Sequence, residues 1–252
     1  MYTADITGSK SMKTKLSLDI SKEDFIARME FENKKEEFRC RQYLDLKGVS
    51  YHTVLVNYIE LNENGKLEYK KVQNLYIYDK RIRKILYKFL SALEEGIRGY
   101  ISNKYCSDIN SIKKISNSIS KSIVEGSSLS KELENLDFSQ LLNISKKLKK
   151  SELIELFGSS DHLKENLYAV KELRNTVSHH RMLFVYEDFQ QCFFNDGTFG
   201  DTLMDNIRNL KELLNTFYEE FFIEEINNSC IDKDNPQFQN SLPNKAILSI
   251  KN

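Results

Sequence analysis

The prolines of this 252-residue chain are confined to its end, where Pro236 and Pro243 both lie within the last 17 residues. A proline inside a helix removes a backbone hydrogen bond and clashes with the preceding turn, so its absence before position 236 favours long uninterrupted helices. Glycines are also few, nine in the whole chain. The sequence therefore predicts an all-α fold, and its 40% of apolar residues can supply a packed core.

Two stretches, 79–102 and 161–180, have the strongest helical pattern, because apolar residues recur in them at steps of three and four. In the second stretch these residues are Leu163, Leu167, Val170, Leu173 and Val177. We expect the two helices to pack together, with Ser160 or Asp161 capping the second. A weaker signal lies at 51–72, where a Val- and Tyr-rich run followed by Asn64-Gly65 also fits a short β-ribbon.

The domain organisation follows from changes in composition along the chain. Residues 1–11 are polar and non-periodic, which is typical of a tag or a disordered terminus. Residues 12–226 are predicted to form a single helical domain. Within it, the Ser-, Asn- and Lys-rich stretch 106–132 is predicted to be a mobile insertion. Residues 227–252 are polar, contain both prolines and are predicted to be a C-terminal tail.

Composition also narrows the class of protein. The four cysteines are scattered without a Cys-x2-Cys pair, which argues against a zinc site and against a disulfide framework. No signal peptide and no apolar run of membrane-spanning length is visible, so we expect a cytoplasmic protein without membrane contact. The net charge is zero, and any attraction to nucleic acid must therefore come from a local patch.

Residues 66–88 form such a patch, with eight Lys or Arg residues against Glu68 and Asp79. Four tyrosines lie among these cations, at positions 69, 76, 78 and 87, which suits phosphate contact combined with base stacking. The predicted RNA-binding residues are Lys70, Lys71, Lys80, Arg81, Arg83 and Lys84. Residues 212–234 carry seven acidic residues against Lys233. The alternative is that the two stretches are solvated surfaces whose charges balance.

A polar cluster lies at the end of the 161–180 helix. Asn175 and His179 are four residues apart and share a face, and Arg174 is next to Asn175. A guanidinium can hold a phosphate with two hydrogen bonds, and an imidazole can transfer a proton near neutral pH. The alternative is an ordinary solvated helix end, where the helix dipole favours cations.

Metal-dependent chemistry fits this cluster poorly. Side chains at His179 and His180 would point about 100° apart on a helix, so both could not easily bind one ion, and no His-Glu-x2-His motif is present. Phosphate-binding glycine loops are also missing. Acid–base chemistry at a phosphodiester, without metal or cofactor, remains. Glu94 and Arg98 are spaced as a helical ion pair, which either supports this site or is a surface pair.

The run Leu173-Arg174-Asn175 followed by His179-His180 resembles the motif of Abi-like proteins (abortive infection, AbiD/AbiF type), a branch of the HEPN superfamily. Further segments resemble the family in the same order, over roughly residues 40–185. They are Val56-Asn57-Tyr58, Leu75-Tyr76 with Asp79 and Arg83, Leu93-Glu94 with Ile97-Arg98, and Leu136-Asp137-Phe138. The chain departs from the family pattern at Ser178 and Met182, and Arg181 is displaced by one position.

The resemblance implies a HEPN-type helical bundle with additional N-terminal helices, which forms a homodimer and cleaves RNA without a metal. Such proteins act as toxins or antiphage effectors, controlled by an RNA or protein antitoxin. In that picture Arg174 binds the scissile phosphate, Asn175 orients it, and His179 acts as acid or base. His180 is a structural neighbour. The main alternative is a catalytically inactive HEPN module that binds RNA or a protein partner, and a third is a helical scaffold with no site.

Overall fold

The computed structural model describes residues 19–59, 67–106, 108–159 and 161–250. These residues contain twelve α-helices and four strands of two residues each, so the predicted all-α fold is confirmed. The helices are α1 (Lys22–Ala27), α2 (Lys34–Lys47), α3 (Val49–Tyr58), α4 (Tyr69–Tyr105), α5 (Ile109–Ile115), α6 (Asn117–Val124), α7 (Leu129–Glu134), α8 (Phe138–Ser145), α9 (Lys150–Phe157), α10 (Leu163–Ser178), α11 (Leu203–Leu213) and α12 (Thr216–Asn228). The strands are β1 (Met29–Glu30), β2 (Leu67–Glu68), β3 (Cys192–Phe193) and β4 (Phe199–Gly200), and short 3-10 turns lie at Leu183–Val185, Gln239–Ser241 and Asn244–Ala246.

The chain divides into two compact units, the first ending at Leu75 and the second beginning at Tyr76. In the first unit α1, α2 and α3 pack on one another, and β1 pairs with β2 in parallel. The boundary falls inside α4, where the apolar spacing continues without a break, so sequence patterning carries no signal of it. The structure differs here from the single domain predicted for 12–226.

The core of the second unit is one cluster of apolar side chains, and α4 and α10 both contribute to it. The buried face of α4 includes Tyr78, Ile82, Leu86, Phe89, Leu93, Ile97 and Ile101. The buried face of α10 includes the five residues predicted for it, Leu163, Leu167, Val170, Leu173 and Val177. Both apolar stripes therefore face the core as their spacing predicts.

The stretch 106–132 is not the loop-like insertion that its composition indicates. It forms α5, α6 and the start of α7, and Ile112, Ile115 and Ile119 are buried in the main cluster. The Ser116 hydroxyl accepts a hydrogen bond from the backbone N–H of Ile119, and the Ser128 hydroxyl accepts one from Lys131. These serines cap helices, which is why a serine-rich composition misleads here.

The prediction of a polar tail also needs correction, because residues 229–250 pack against the rest of the second unit. Phe238, Leu242, Leu248 and Ile250 are buried in the main cluster. The side chain of Asn227 fixes this segment, since its Oδ1 accepts from Ile250 N at 2.8 Å and its Nδ2 donates to Ile250 O at 3.0 Å. The apolar residues are too widely spaced to show a helical or strand period, so the pattern resembles that of a tail.

The short β-ribbon predicted near 51–72 is present as β2, which pairs in parallel with β1, and residues 51–58 are helical. Asn215 lies between α11 and α12 and caps α12, because its side chain accepts a hydrogen bond from Phe217 N. Asp161 does not cap α10, which begins after His162. The Asn64-Gly65 turn, Ser160 and residues 1–11 lie outside the described residues.

Within the part of the chain that the structure describes, no helix is both long and apolar enough to cross a membrane.

We expect Phe238→Ala to lower the free energy of unfolding by about 3 to 5 kcal/mol, because it removes a fully buried aromatic ring from the core. Phe217→Ala is the matched control, since Phe217 is 67% exposed and its loss should change stability by less than about 0.5 kcal/mol. Urea denaturation followed by circular dichroism measures both. Equal small effects would mean that residues 229–250 do not pack on the core.

Candidate functional site

The end of α10 places the two adjacent histidines in different surroundings. The N–H of His180 donates to Val177 O and the N–H of Arg181 donates to Thr176 O, each at 3.1 Å. This bond pair is a Schellman motif, in which the residue after the cap adopts a left-handed conformation that glycine usually fills. Here His180 fills it, with φ of 54°. A non-glycine residue in this region costs about 1 kcal/mol, so this turn carries some strain.

A pocket of about 610 Å³ lies between α4 and the end of α10, within the second unit. Its lining residues are Lys80, Arg83, Lys84 and Tyr87 from α4, and Arg174, Val177, Ser178 and His180 from α10 and its C-terminal turn. Four of them are cations and none is acidic. Residues 80, 83, 84 and 87 share one face of α4 because they are three or four apart. The lining is therefore positively charged, which suits contact with an anion.

A buried carboxylate holds one of these cations in place. Asp79 is fully buried, and its Oδ2 accepts a hydrogen bond from Arg83 Nε at 2.6 Å. Its Oδ1 accepts from the backbone N–H of Leu183 at 2.7 Å. Burial raises the pKa of Asp79, and the charge of Arg83 together with backbone N–H groups of Leu183 and Phe184 offsets part of that rise.

The same guanidinium reaches His180. Arg83 Nη1 lies 3.5 Å from His180 Nδ1, at the long end of the range for a hydrogen bond. A guanidinium can only donate, so this contact requires an unprotonated Nδ1 and leaves the ring proton of neutral His180 on Nε2. Asp79, Arg83 and His180 thus form a connected series from the core to the pocket.

Of the predicted catalytic set, only Arg174 lines the pocket of its own chain. Arg174 lines the pocket, is partly buried and has no ion pair among the described residues. His179 is exposed and does not line the pocket, and neither does Asn175. The structure instead brings Arg174 together with His180, to which the sequence assigned only a structural role. The signal that could have indicated this is the i,i+4 spacing of Asp79 and Arg83, which is typical of an ion pair.

Glu94 and Arg98, predicted as supporting residues, lie elsewhere. They pair with each other at 2.7 Å, and Arg98 donates to the carbonyls of Leu133 and Leu136 at 3.0 and 2.8 Å. Arg98 follows Arg83 by about 22 Å of helix. Its contacts satisfy carbonyl groups at the end of α7, which is a structural role.

The predicted RNA-binding cations belong partly to the first unit and partly to the second. Lys70 and Lys71 belong to the first unit, where Lys71 pairs with Glu68 at 2.9 Å. In the second unit Arg81 pairs with Asp232 and stacks on the ring of Phe238. Lys80, Arg83 and Lys84 remain as pocket residues.

The oppositely charged stretches partly neutralise each other, as the alternative interpretation proposed. Lys88 pairs with Glu225, and Arg81 pairs with Asp232. At the pocket, Arg83 is paired with the buried Asp79, whereas Lys80 and Lys84 form no ion pair among the described residues. The cationic surface is therefore smaller and more local than the sequence predicts.

Comparison of the chain with models of known protein families, with curated proteins and with solved structures gave no match. Among the described residues, no group of three or more His, Cys, Asp or Glu side chains is placed to hold a metal ion. The chemistry available in the pocket is anion binding by guanidinium and ammonium groups, beside an imidazole that can exchange a proton.

We expect Asp79→Asn to destabilise the protein by about 3 kcal/mol, because it leaves the nearly buried Arg83 without its counter-charge. The asparagine can still accept a hydrogen bond from Leu183 N, so the loss of stability reports the contribution of the ion pair alone. Glu225→Gln breaks the exposed pair with Lys88 and should cost less than about 1 kcal/mol. Thermal unfolding of the two variants measures the difference. Similar losses would show that the buried pair contributes no more to stability than the exposed pair.

Proposed function

We propose that this protein is a metal-independent endoribonuclease of the HEPN type, acting as a toxin or an antiphage effector. The observation that carries the proposal is the pocket beside Arg174, which combines four cations with an imidazole and contains no acidic residue. An RNA backbone brings a phosphate anion for the cations and a 2′-hydroxyl for proton transfer. The role in defence rests on the family resemblance alone.

In the proposed reaction the 2′-hydroxyl loses its proton to a base and its oxygen attacks the adjacent phosphorus. The bond to the 5′-oxygen breaks, and that oxygen takes a proton from an acid. The products are a 2′,3′-cyclic phosphate and a 5′-hydroxyl, and the reaction needs no oxidant, metal or cofactor. Arg174 binds the phosphate and stabilises its developing charge, and Asn175 orients the substrate. His179 is the proton-transfer group.

The position of His179 outside the pocket supports a dimeric enzyme. Because His179 does not line the pocket of its own chain, it would act at a cleft shared by two copies. Cleavage requires both a base and an acid, and two-fold symmetry supplies one imidazole from each copy. His180, which contacts Arg83, would then help to position the phosphate-binding groups. An RNA or protein antitoxin would act by covering this cleft.

A second candidate is a catalytically inactive module that binds RNA or a protein partner. It is favoured by the same separation of His179 from the pocket, since a pocket without its proton-transfer group could bind a phosphate and leave it intact. Incubation of the pure protein with total RNA, with and without a chelator, distinguishes the two. Cleavage that persists in the chelator supports the enzyme, and binding without cleavage supports the module.

We expect His179→Ala to reduce the rate of RNA cleavage by about a hundredfold to ten-thousandfold while leaving RNA affinity nearly unchanged, because it removes a proton-transfer group. His180→Ala is the matched variant and should reduce the rate of cleavage less than His179→Ala does. Cleavage is followed on a labelled RNA by gel electrophoresis, and affinity by fluorescence anisotropy. If His180→Ala abolishes cleavage and His179→Ala does not, the proton-transfer role belongs to His180. Loss of cleavage in a chelator would contradict the metal-free mechanism.

Arg174→Ala should weaken both cleavage and RNA binding, because it removes a charged contact to the phosphate. The slope of log affinity against log salt concentration should fall by about 1. Lys104→Ala is the control, since Lys104 lies on α4 about 30 Å beyond Lys84 and pairs with Glu155. It should leave both the affinity and the slope unchanged. An unchanged slope for Arg174→Ala would show that Arg174 does not contact the phosphate.

A further inference from the structure

Only one of the four tyrosines in the basic stretch lies in the pocket with its ring exposed. Tyr69, in the first unit, and Tyr78, in the second, are 1% and 0% exposed and belong to the packed interior. Tyr76 lies beneath the ammonium group of Lys80. Tyr87 is 58% exposed and lines the pocket. Base stacking, which the sequence suggests for all four, is therefore restricted to Tyr87.

Packing and hydrogen bonding within the fold do not explain why a tyrosine occupies position 87. Among the described residues it makes no ring contact and no hydrogen bond, whereas Tyr78 stacks on Phe184 and its hydroxyl accepts from Leu248 N at 3.0 Å. Single exposed aromatic residues are common and need no explanation. Tyr87 differs from them because it shares a pocket with Lys84 and Arg174.

We propose that Tyr87 is a base-stacking residue, which holds the nucleobase next to the phosphate bound by Arg174 and Lys84; this inference rests on the proposed RNA-cleaving function. Lys84 and Tyr87 are three residues apart on one helical face, so the phosphate contact and the aromatic face lie within one turn of α4. A nucleotide entering the pocket can thus place its charge on the cations and its base on the ring.

This arrangement makes affinity depend on the base as well as on the backbone. Lysine and arginine contacts to phosphate are indifferent to whether a base is attached, whereas stacking requires a base that has left its own stack. Every base has an aromatic face, so stacking on Tyr87 adds affinity without selecting a sequence. Tyr87 would therefore favour looped or single-stranded nucleotides over the same phosphates in a duplex.

The test compares two probes of equal length and charge by fluorescence anisotropy. One is a short 2′-O-methyl RNA, which cannot be cleaved by attack of its 2′-oxygen, and the other is the same backbone with stable abasic units. We expect the wild-type chain to bind the first more tightly by about 5- to 150-fold. Tyr87→Ala should remove this preference and leave the affinity for the abasic probe unchanged.

Two variants separate stacking from other roles of the tyrosine. Tyr87→Phe keeps the ring and should keep the preference, whereas a loss as complete as in Tyr87→Ala would show that the hydroxyl is responsible and overturn the proposal. Tyr168→Ala is the matched control, because Tyr168 is 45% exposed and does not line the pocket. It should keep the preference in full.

The remaining outcomes distinguish failure of this inference from failure of the proposed function. Equal binding of both probes by the wild-type chain, with affinity that falls in Arg174→Ala, overturns stacking and leaves the phosphate site intact. Affinity for the abasic probe that is unaffected by Arg174→Ala overturns the phosphate site, and with it both proposals. A preference for the base-bearing probe that persists in Tyr87→Ala assigns stacking to another residue and overturns the role of Tyr87.

Discussion

The buried carboxylate of Asp79 connects the two parts of the chain that form the pocket. Its two oxygens bind Arg83 on the same helix and the backbone N–H of Leu183 beyond the end of α10. A carboxylate without exposure needs such partners, because an unpaired charge in the interior is very costly. The segment after α10 is therefore fixed against α4 by a buried hydrogen bond.

The strained turn at the end of α10 acts together with this carboxylate. Its left-handed residue reverses the chain sharply, so that Leu183 reaches Asp79 while His180 stays at the pocket. Glycine at position 180 would relieve the strain and would also remove the imidazole that contacts Arg83. Histidine adopts this conformation more readily than most residues, and His162 adopts it as well, with φ of 50°.

Sequence patterning predicts the helices that bury a regular stripe. Leu167, Val170 and Leu173 are all fully buried, as their spacing requires. Patterning fails where burial is irregular, as for Phe238 in a segment without a period. It also fails where polar residues have local roles, as for Ser116, which caps a helix in a stretch that resembles a loop.

The candidate site is predicted less fully than the fold, for a related reason. Sequence spacing shows that Asn175 and His179 share a helical face, but it assumes that the helix continues through His180. The helix in fact ends at Ser178, and the following turn redirects the chain. Long-range partners such as Asp79 and Leu183 are more than a hundred residues apart, so no local pattern could place them together.

The neutral net charge of the chain determines how such a pocket can work. Ion pairs such as Arg81–Asp232 and Lys88–Glu225 neutralise much of the basic stretch, and they lie outside the lining of the pocket. Charges separated by more than about 8 Å are largely screened at physiological salt, so the remaining cations act only at close range. In the proposed function, a phosphate would gain affinity only when it enters the pocket. Because few phosphates would be bound at once, the dependence of affinity on salt should be shallow compared with proteins that follow a long backbone. Recognition of RNA would then depend on what else the nucleotide contacts inside the pocket, where His180 and Tyr87 lie beside the cations.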